Sequence, residues 1–175
     1  MTRLTAEALA PEAYAPYGDV ISADRADVAA KPANQGTAAR RDHLAPIASL
    51  RPGAALNLCS FRCAPKVDWP IGVALLEKHP LSTQVFIPMN ARRYLVLVAL
   101  GGDAPDLSTA RAFVASGTQG VSYRPGVWHH PMIALDDTVD FACLVWEDGT
   151  AGDCVAVTLH EGALSVALAV SSAPR

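Results

Sequence analysis

A chain of 175 residues, 51 % hydrophobic and 18 % charged, suits one domain with a packed core that needs no disulfide or metal staple. The formal net charge of −3, with no basic run longer than the pairs Arg40-Arg41 and Arg92-Arg93, excludes the electrostatic footprint of a nucleic-acid binder. No uncharged apolar run reaches the roughly 20 residues of a membrane-spanning helix, and the opening MTRLTAEALAPEAYAPYGDV lacks a signal-peptide core, so a cytoplasmic location is expected.

Along the chain, Thr5 before AEALA predicts a short helix that Pro11 ends. AYAPYGDVI then reads as a turn leading into an extended piece. Residues 22–39 are polar, aperiodic and carry Pro and Gly, which predicts a long loop. From about residue 54 short apolar runs recur between Pro, Gly and Asp: ALNLCSF, VALLE, TQVFIP, RYLVLVAL, GVSYR, VDFACLVW and CVAVTL. Their length and their Val, Leu, Phe and Tyr content predict antiparallel strands of a sandwich or small barrel. PDLSTARAFVASG interrupts the series. Ser108 is a plausible N-cap, Leu107, Ala110 and Val114 share a helical face, and Gly117 fits just past the end, so a second short helix is predicted there. Residues 161–175 read as a last strand or a tail, and the whole of 1–175 as one domain.

The four cysteines, Cys59, Cys63, Cys143 and Cys154, form no CxxC pair. A thiolate zinc site and disulfides are therefore disfavoured, and small buried hydrophobes are expected. A barrel with an open mouth can hold a small ligand, and side chains alternate in and out along each strand. Glu77 and His79, two apart, then share a face. Gln84 follows five residues later, and His129 stands three residues after Gly126 in RPGVWHHP. By alternation His129 points inward, while Trp128 packs elsewhere and His130 is structural or at a rim. Tyr94 and Tyr123 read as ordinary strand residues.

This layout resembles the cupins, whose first motif runs His-x-His then Glu and whose second runs Pro, Gly, then His. The resemblance implies a mainly β, jelly-roll antiparallel barrel with a few short helices. It also implies a divalent-metal site at Glu77, His79, Gln84 and His129. Here Glu replaces the first His and Gln replaces the Glu, and a carboxamide is a poor transition-metal ligand, so weaker metal affinity is expected.

A more specific resemblance is to the ureidoglycolate lyase family, the small cupins of allantoin degradation. It rests on EAYAPYGDVI, NQGTAARRDHLA, LEKHPLSTQVFIPM, LVALGGDAPDLSTARAF, QGVSYRPGVWHHP, DFACLVWEDG and DCV, which together cover most of residues 12–157. Asn90 stands where some members carry lysine, so that lysine's role does not transfer. The resemblance implies cleavage of ureidoglycolate to glyoxylate and urea, with no required cofactor, by a homodimer. Such an elimination needs a base for the hydroxyl proton, an acid for the leaving nitrogen and a cation for the carboxylate. His79 and His129 are the acid–base candidates, with Glu77 as orienting or proton-accepting partner. Arg40 is the first carboxylate candidate and Arg62 the second. Gln84 suits the urea amide, and Asn34 either does the same or shapes a turn. A metal-dependent amidohydrolase releasing ammonia, a cupin oxygenase or isomerase, and a non-catalytic binding module stay open beside this reading.

Overall fold

A side-chain period of two builds nearly everything in this chain. The computed structural model describes residues 1–150 and 152–169. Among these the strands are β1 (Thr2–Ala8), β2 (Gly18–Ile21), β3 (Lys31–Ala33), β4 (Ala38–Arg40), β5 (Ala55–Cys63), β6 (Ile71–Gly72), β7 (Leu75–Lys78) and β8 (Gln84–Pro88). They continue with β9 (Arg93–Gly101), β10 (Pro105–Ser116), β11 (Gly120–Tyr123), β12 (Trp128–His129), β13 (Ile133–Ala134), β14 (Val139–Glu147), β15 (Val155–Thr158) and β16 (Leu164–Leu168). One helical turn, α1, spans Pro11–Tyr14, with Pro11 in its first turn, where a missing N–H costs nothing.

Two curled sheets face each other as a cupin-like barrel. The larger runs β15-β7-β12-β9-β10-β1-β16-β6 with β13 also on β9, and the smaller runs β2-β11-β8-β14-β5. Pairing is antiparallel except at β1, which lies parallel to both β10 and β16. Between the sheets sits one core, including Tyr14, Val20, Phe86, Tyr94, Phe113, Tyr123 and Phe141. A second core, including Leu76, Leu95, Leu97, Trp128, Leu164 and Val166, covers the other face of the larger sheet. Strand β9 is buried on both faces, so its sequence is a continuous apolar run rather than an alternating one.

Three expectations are corrected. The segment after Thr5 is strand β1, not helix. Its register with β16 and β10 buries Ala6 and packs Leu4 on alternate positions, and that pairing overrides alanine's helix propensity. Residues 105–116 are likewise strand β10, not helix. Ala110 and Ala112 face the second core while Phe113 and Ala115 face the first, with an irregular register between Asp106 and Arg111. At that bulge the Ser108 and Thr109 hydroxyls bond back to Asp106, the local polar chemistry that the sequence displayed as a helix cap. Within the long loop of 22–39, β3 and β4 form a hairpin around Asn34–Gly36. Of the C-terminal segment, Leu164–Leu168 is the strand β16, and residues 170–175 lie outside the described residues. Among the described residues, no helix is long and apolar enough to cross a membrane.

Candidate active site

Strands β7 and β12 lie side by side, with Glu77 directly opposite His129. His79, two residues beyond Glu77, projects to the same side. One ligand atom from each of Glu77, His79 and His129 lies within 4.8 Å of the others. The intervening residues point the other way: the Lys78 ammonium sits 4.5 Å over the Trp128 ring, and both side chains donate to the Gly102 carbonyl. Alternation along two neighbouring strands thus separates site from packing. The turn before β12 fixes the register. Gly126 takes φ +83°, a conformation suited to glycine, and its N–H donates to the His79 carbonyl at 2.9 Å.

The His129 ring is fully enclosed. Its Nδ1 lies 3.0 Å from the Val127 carbonyl oxygen, which can only accept, so Nδ1 carries the proton and Nε2 presents a lone pair. That Nε2 is buried, has no hydrogen-bond partner among the described residues, and lies 3.6 Å from Glu77 Oε1. Burial drives the imidazole pKa down to about 3; the Val127 carbonyl pulls it up, and His79 and His130 push it down further. Burial also raises the Glu77 carboxyl above its ordinary value, partly offset by His79. The Tyr123 ring stacks on His129 at 4.0 Å and 4° between planes, and the His79 ring lies 5.7 Å away at 20°. Tyr123 therefore positions the histidine, a role its strand-like surroundings gave no sign of.

Two acceptors facing each other at this range call for a donor or cation between them. A proton on Glu77, a substrate N–H or O–H, or a divalent ion all satisfy that need. One carboxylate with two imidazoles is a donor set that suits divalent transition metals, and the orphaned His129 lone pair fits the same role. Gln84 is 94 % buried (6 % exposed), paired across the sheet with Tyr123, and its buried Oε1 also has no partner among the described residues.

The other predicted contacts are not brought to this cluster. Cys59 and Cys63 pack inward from β5, so Arg62 points outward, 77 % exposed and forked onto Asp140 at 2.7 and 2.8 Å. Arg40 is 70 % exposed at the end of β4 and paired with Asp42. Asn34 takes φ +49°, and its carbonyl accepts from the Thr37 N–H and hydroxyl, so it shapes the hairpin turn. None of these three lines the hollow beside His79. That hollow, about 200 Å³, is bounded by Arg51, His79, Val145, Trp146, Glu147, Thr150, Asp153 and Cys154. Asp153, 3 % exposed, accepts from the Leu81 N–H at 2.8 Å and from the Ser82 hydroxyl, which pins the segment following His79. A larger surface hollow of about 610 Å³, apart from the cluster, is bounded by His130 and by residues between Pro65 and Leu75.

Two curled sheets carrying a Glu–His–His cluster between neighbouring strands define a mostly β, cupin-like barrel protein. Residues 1–167 match the family model for ureidoglycolate lyase, and the chain belongs to that family. Curated relatives named ureidoglycolate lyase include one from Pseudomonas fluorescens (strain SBW25), 40 % identical over 154 residues, covering 88 % of this chain and 90 % of its own. Another, from Pseudomonas syringae pv. tomato (strain DC3000), is 38 % identical over 154 residues and covers 88 % of each chain. A solved dTDP sugar isomerase from Desulfovibrio desulfuricans G20 aligns over 85 % of this chain and 88 % of its own, at 16 % identity and TM-score 0.45.

Proposed function

We propose that this chain is a ureidoglycolate lyase that splits its substrate into glyoxylate and urea, acting as one domain in a cytoplasmic homodimer. The observation that carries the reading is the Glu77–His129 pair, two facing acceptors beside a third titratable group, His79, at the edge of a hollow of substrate size. Glu77, whose carboxyl is held above its ordinary value by burial, takes the hydroxyl proton. As the C–N bond breaks, the hydroxyl carbon becomes the aldehyde of glyoxylate, and His79 donates a proton to the departing nitrogen. His129, neutral and held by Val127, accepts a hydrogen bond through Nε2 and keeps the reacting group in line. Gln84 offers its unpaired carbonyl to the urea N–H groups. Where a divalent ion is bound, Glu77, His79 and His129 are the residues to hold it, and it supplies Lewis acidity to substrate oxygens. The dimer reading draws on Leu56 and Leu58, 46 % and 68 % exposed on the outer face of the edge strand β5.

The test is product analysis on purified protein with racemic ureidoglycolate, with and without a strong chelator. Urea and glyoxylate in equal amounts support the lyase reading. Ammonia in place of urea, abolished by chelation, supports an amidohydrolase working through the same three ligands instead. Sedimentation velocity checks the dimer.

A further inference from the structure

Two cysteines far apart in the chain are brought face to face. Cys59 on β5 and Cys143 on β14 are direct partners in the antiparallel register. Both point into the core between the sheets, where Cys143 is buried and Cys59 packs against it. We propose that this pair is a redox-modification site: a dithiol that a hydroperoxide closes to a cross-strand disulfide and a small thiol reopens. The proposal stands apart from the lyase reading.

The register supplies the geometry. Residues directly opposite in an antiparallel pair have Cα atoms about 4.5–5.5 Å apart, inside the range of about 4.4–6.8 Å that a disulfide spans. Both side chains leave their strands on the same face, so the sulfurs project side by side. The two groups also act on each other: burial holds the Cys143 thiol well above its ordinary value, and the Cys59 sulfur, by charge and by hydrogen bond, raises it further. The other cysteines are no rivals. Cys63 shares the inner face of β5 but lies four residues on, about 13 Å along an extended strand, and stands opposite Val139. Cys154 is exposed and belongs to neither core.

Burial also divides the roles. Cys59 is partly exposed on the edge strand of the smaller sheet, whereas Cys143 is 0 % exposed, so an oxidant meets Cys59 first. The Cys59 thiolate attacks the peroxide O–O bond and becomes a sulfenic acid, releasing the alcohol, or water from hydrogen peroxide. The Cys143 sulfur then displaces the sulfenic hydroxyl, which leaves as water with the Cys143 proton. Two thiols and one hydroperoxide give one disulfide, one alcohol and one water, and the peroxide takes up the two electrons that the sulfurs lose. Where glutathione keeps thiols reduced, disulfides are transient and form in response to oxidants. The bond would form in the wall of the candidate site. Val145, two residues after Cys143 on the same face of β14, bounds the hollow beside His79.

The experiment treats wild type with rising doses of hydrogen peroxide, chelator present, then blocks free thiols, digests without reduction and maps the peptides by mass. The expected product joins the Cys59 and Cys143 peptides with the loss of two hydrogens and is undone by dithiothreitol. Because the bond ties together segments distant in the chain, it should raise the melting temperature by roughly 5–10 °C. Neither Cys59→Ser nor Cys143→Ala should show that rise. Oxidation of the exposed Cys154 gauges the dose. Sulfinic acid at Cys59 with Cys143 still a free thiol, a bridge from Cys59 to any other cysteine, or an unmodified pair at a dose that has oxidised Cys154 would overturn the proposal. Should either variant fail to fold, the wild-type peptide map decides by itself.

Discussion

Replacing Asp153 with Ala should destabilise the protein by about 3 kcal/mol and slow turnover as well. The carboxylate is 3 % exposed, and its two donors are the Leu81 N–H and the hydroxyl of Ser82, itself 1 % exposed. Truncation strands both donors away from water, and each unsatisfied buried group costs roughly 1–3 kcal/mol. Water entering the space left behind would offset part of that, which places the sum in the lower half of a range of about 2–6 kcal/mol. The same donors fix the chain just after His79, so the imidazole loses its setting, and kcat should fall about tenfold even in the folded fraction. Urea-denaturation midpoints with unchanged slope give the stability difference, and assays well below the melting temperature give kcat. A loss below about 1 kcal/mol would mean that the Asp153 hydrogen bonds do not anchor this segment.

With chelator present, stability should fall as pH drops from His129's ordinary 6.5 toward its folded value of about 3, because the unfolded chain takes up a proton that the buried ring refuses. Between pH 6.5 and 4 that is about 3 kcal/mol, and His129→Phe should remove it; parallel denaturation curves for the two proteins would refute the assignment. Gln84→Leu removes a buried carbonyl without a partner, so stability should hold or rise by up to about 1 kcal/mol while KM for ureidoglycolate increases several-fold; a large loss of stability on melting would contradict this. Gly126→Ala meets no atom within 4 Å but sits at φ +83°, so it should cost about 1 kcal/mol of strain and lower kcat by shifting His129. A circular-dichroism melt and a rate measurement on that variant suffice to check it.

Glu77, His79 and His129 were readable in the sequence because strand alternation is a two-residue rule that a short motif obeys wherever it lies. The apolar runs from residue 54 onward were readable for the same reason. Strands β1 and β10 were not, since alanine-rich text carries little β signal and its fate is decided by distant partners, β16 and β9. The placing of the arginines is a tertiary matter. Which face Arg62 takes depends on which β5 residues pack inward, and Arg51 approaches His79 only once the segment after β14 folds beside both. Asp153 and Tyr123 had no motif to mark them, because their roles are defined by the Ser82 hydroxyl and the His129 ring, far away in the chain.

The flat contact between Tyr123 and His129, 4.0 Å between ring centres and 4° between planes, has a spectroscopic consequence. Protons held over the face of a phenol ring feel its circulating electrons and resonate upfield. The carbon-bound protons of His129 should therefore stand apart from those of the other four histidines in a proton–carbon NMR spectrum. Any ligand that tilts or slides the imidazole changes that shielding at once. The enzyme thus carries an optical bench of its own: one resolved signal, needing no label, that reports whether the centre is occupied and how its ring is set.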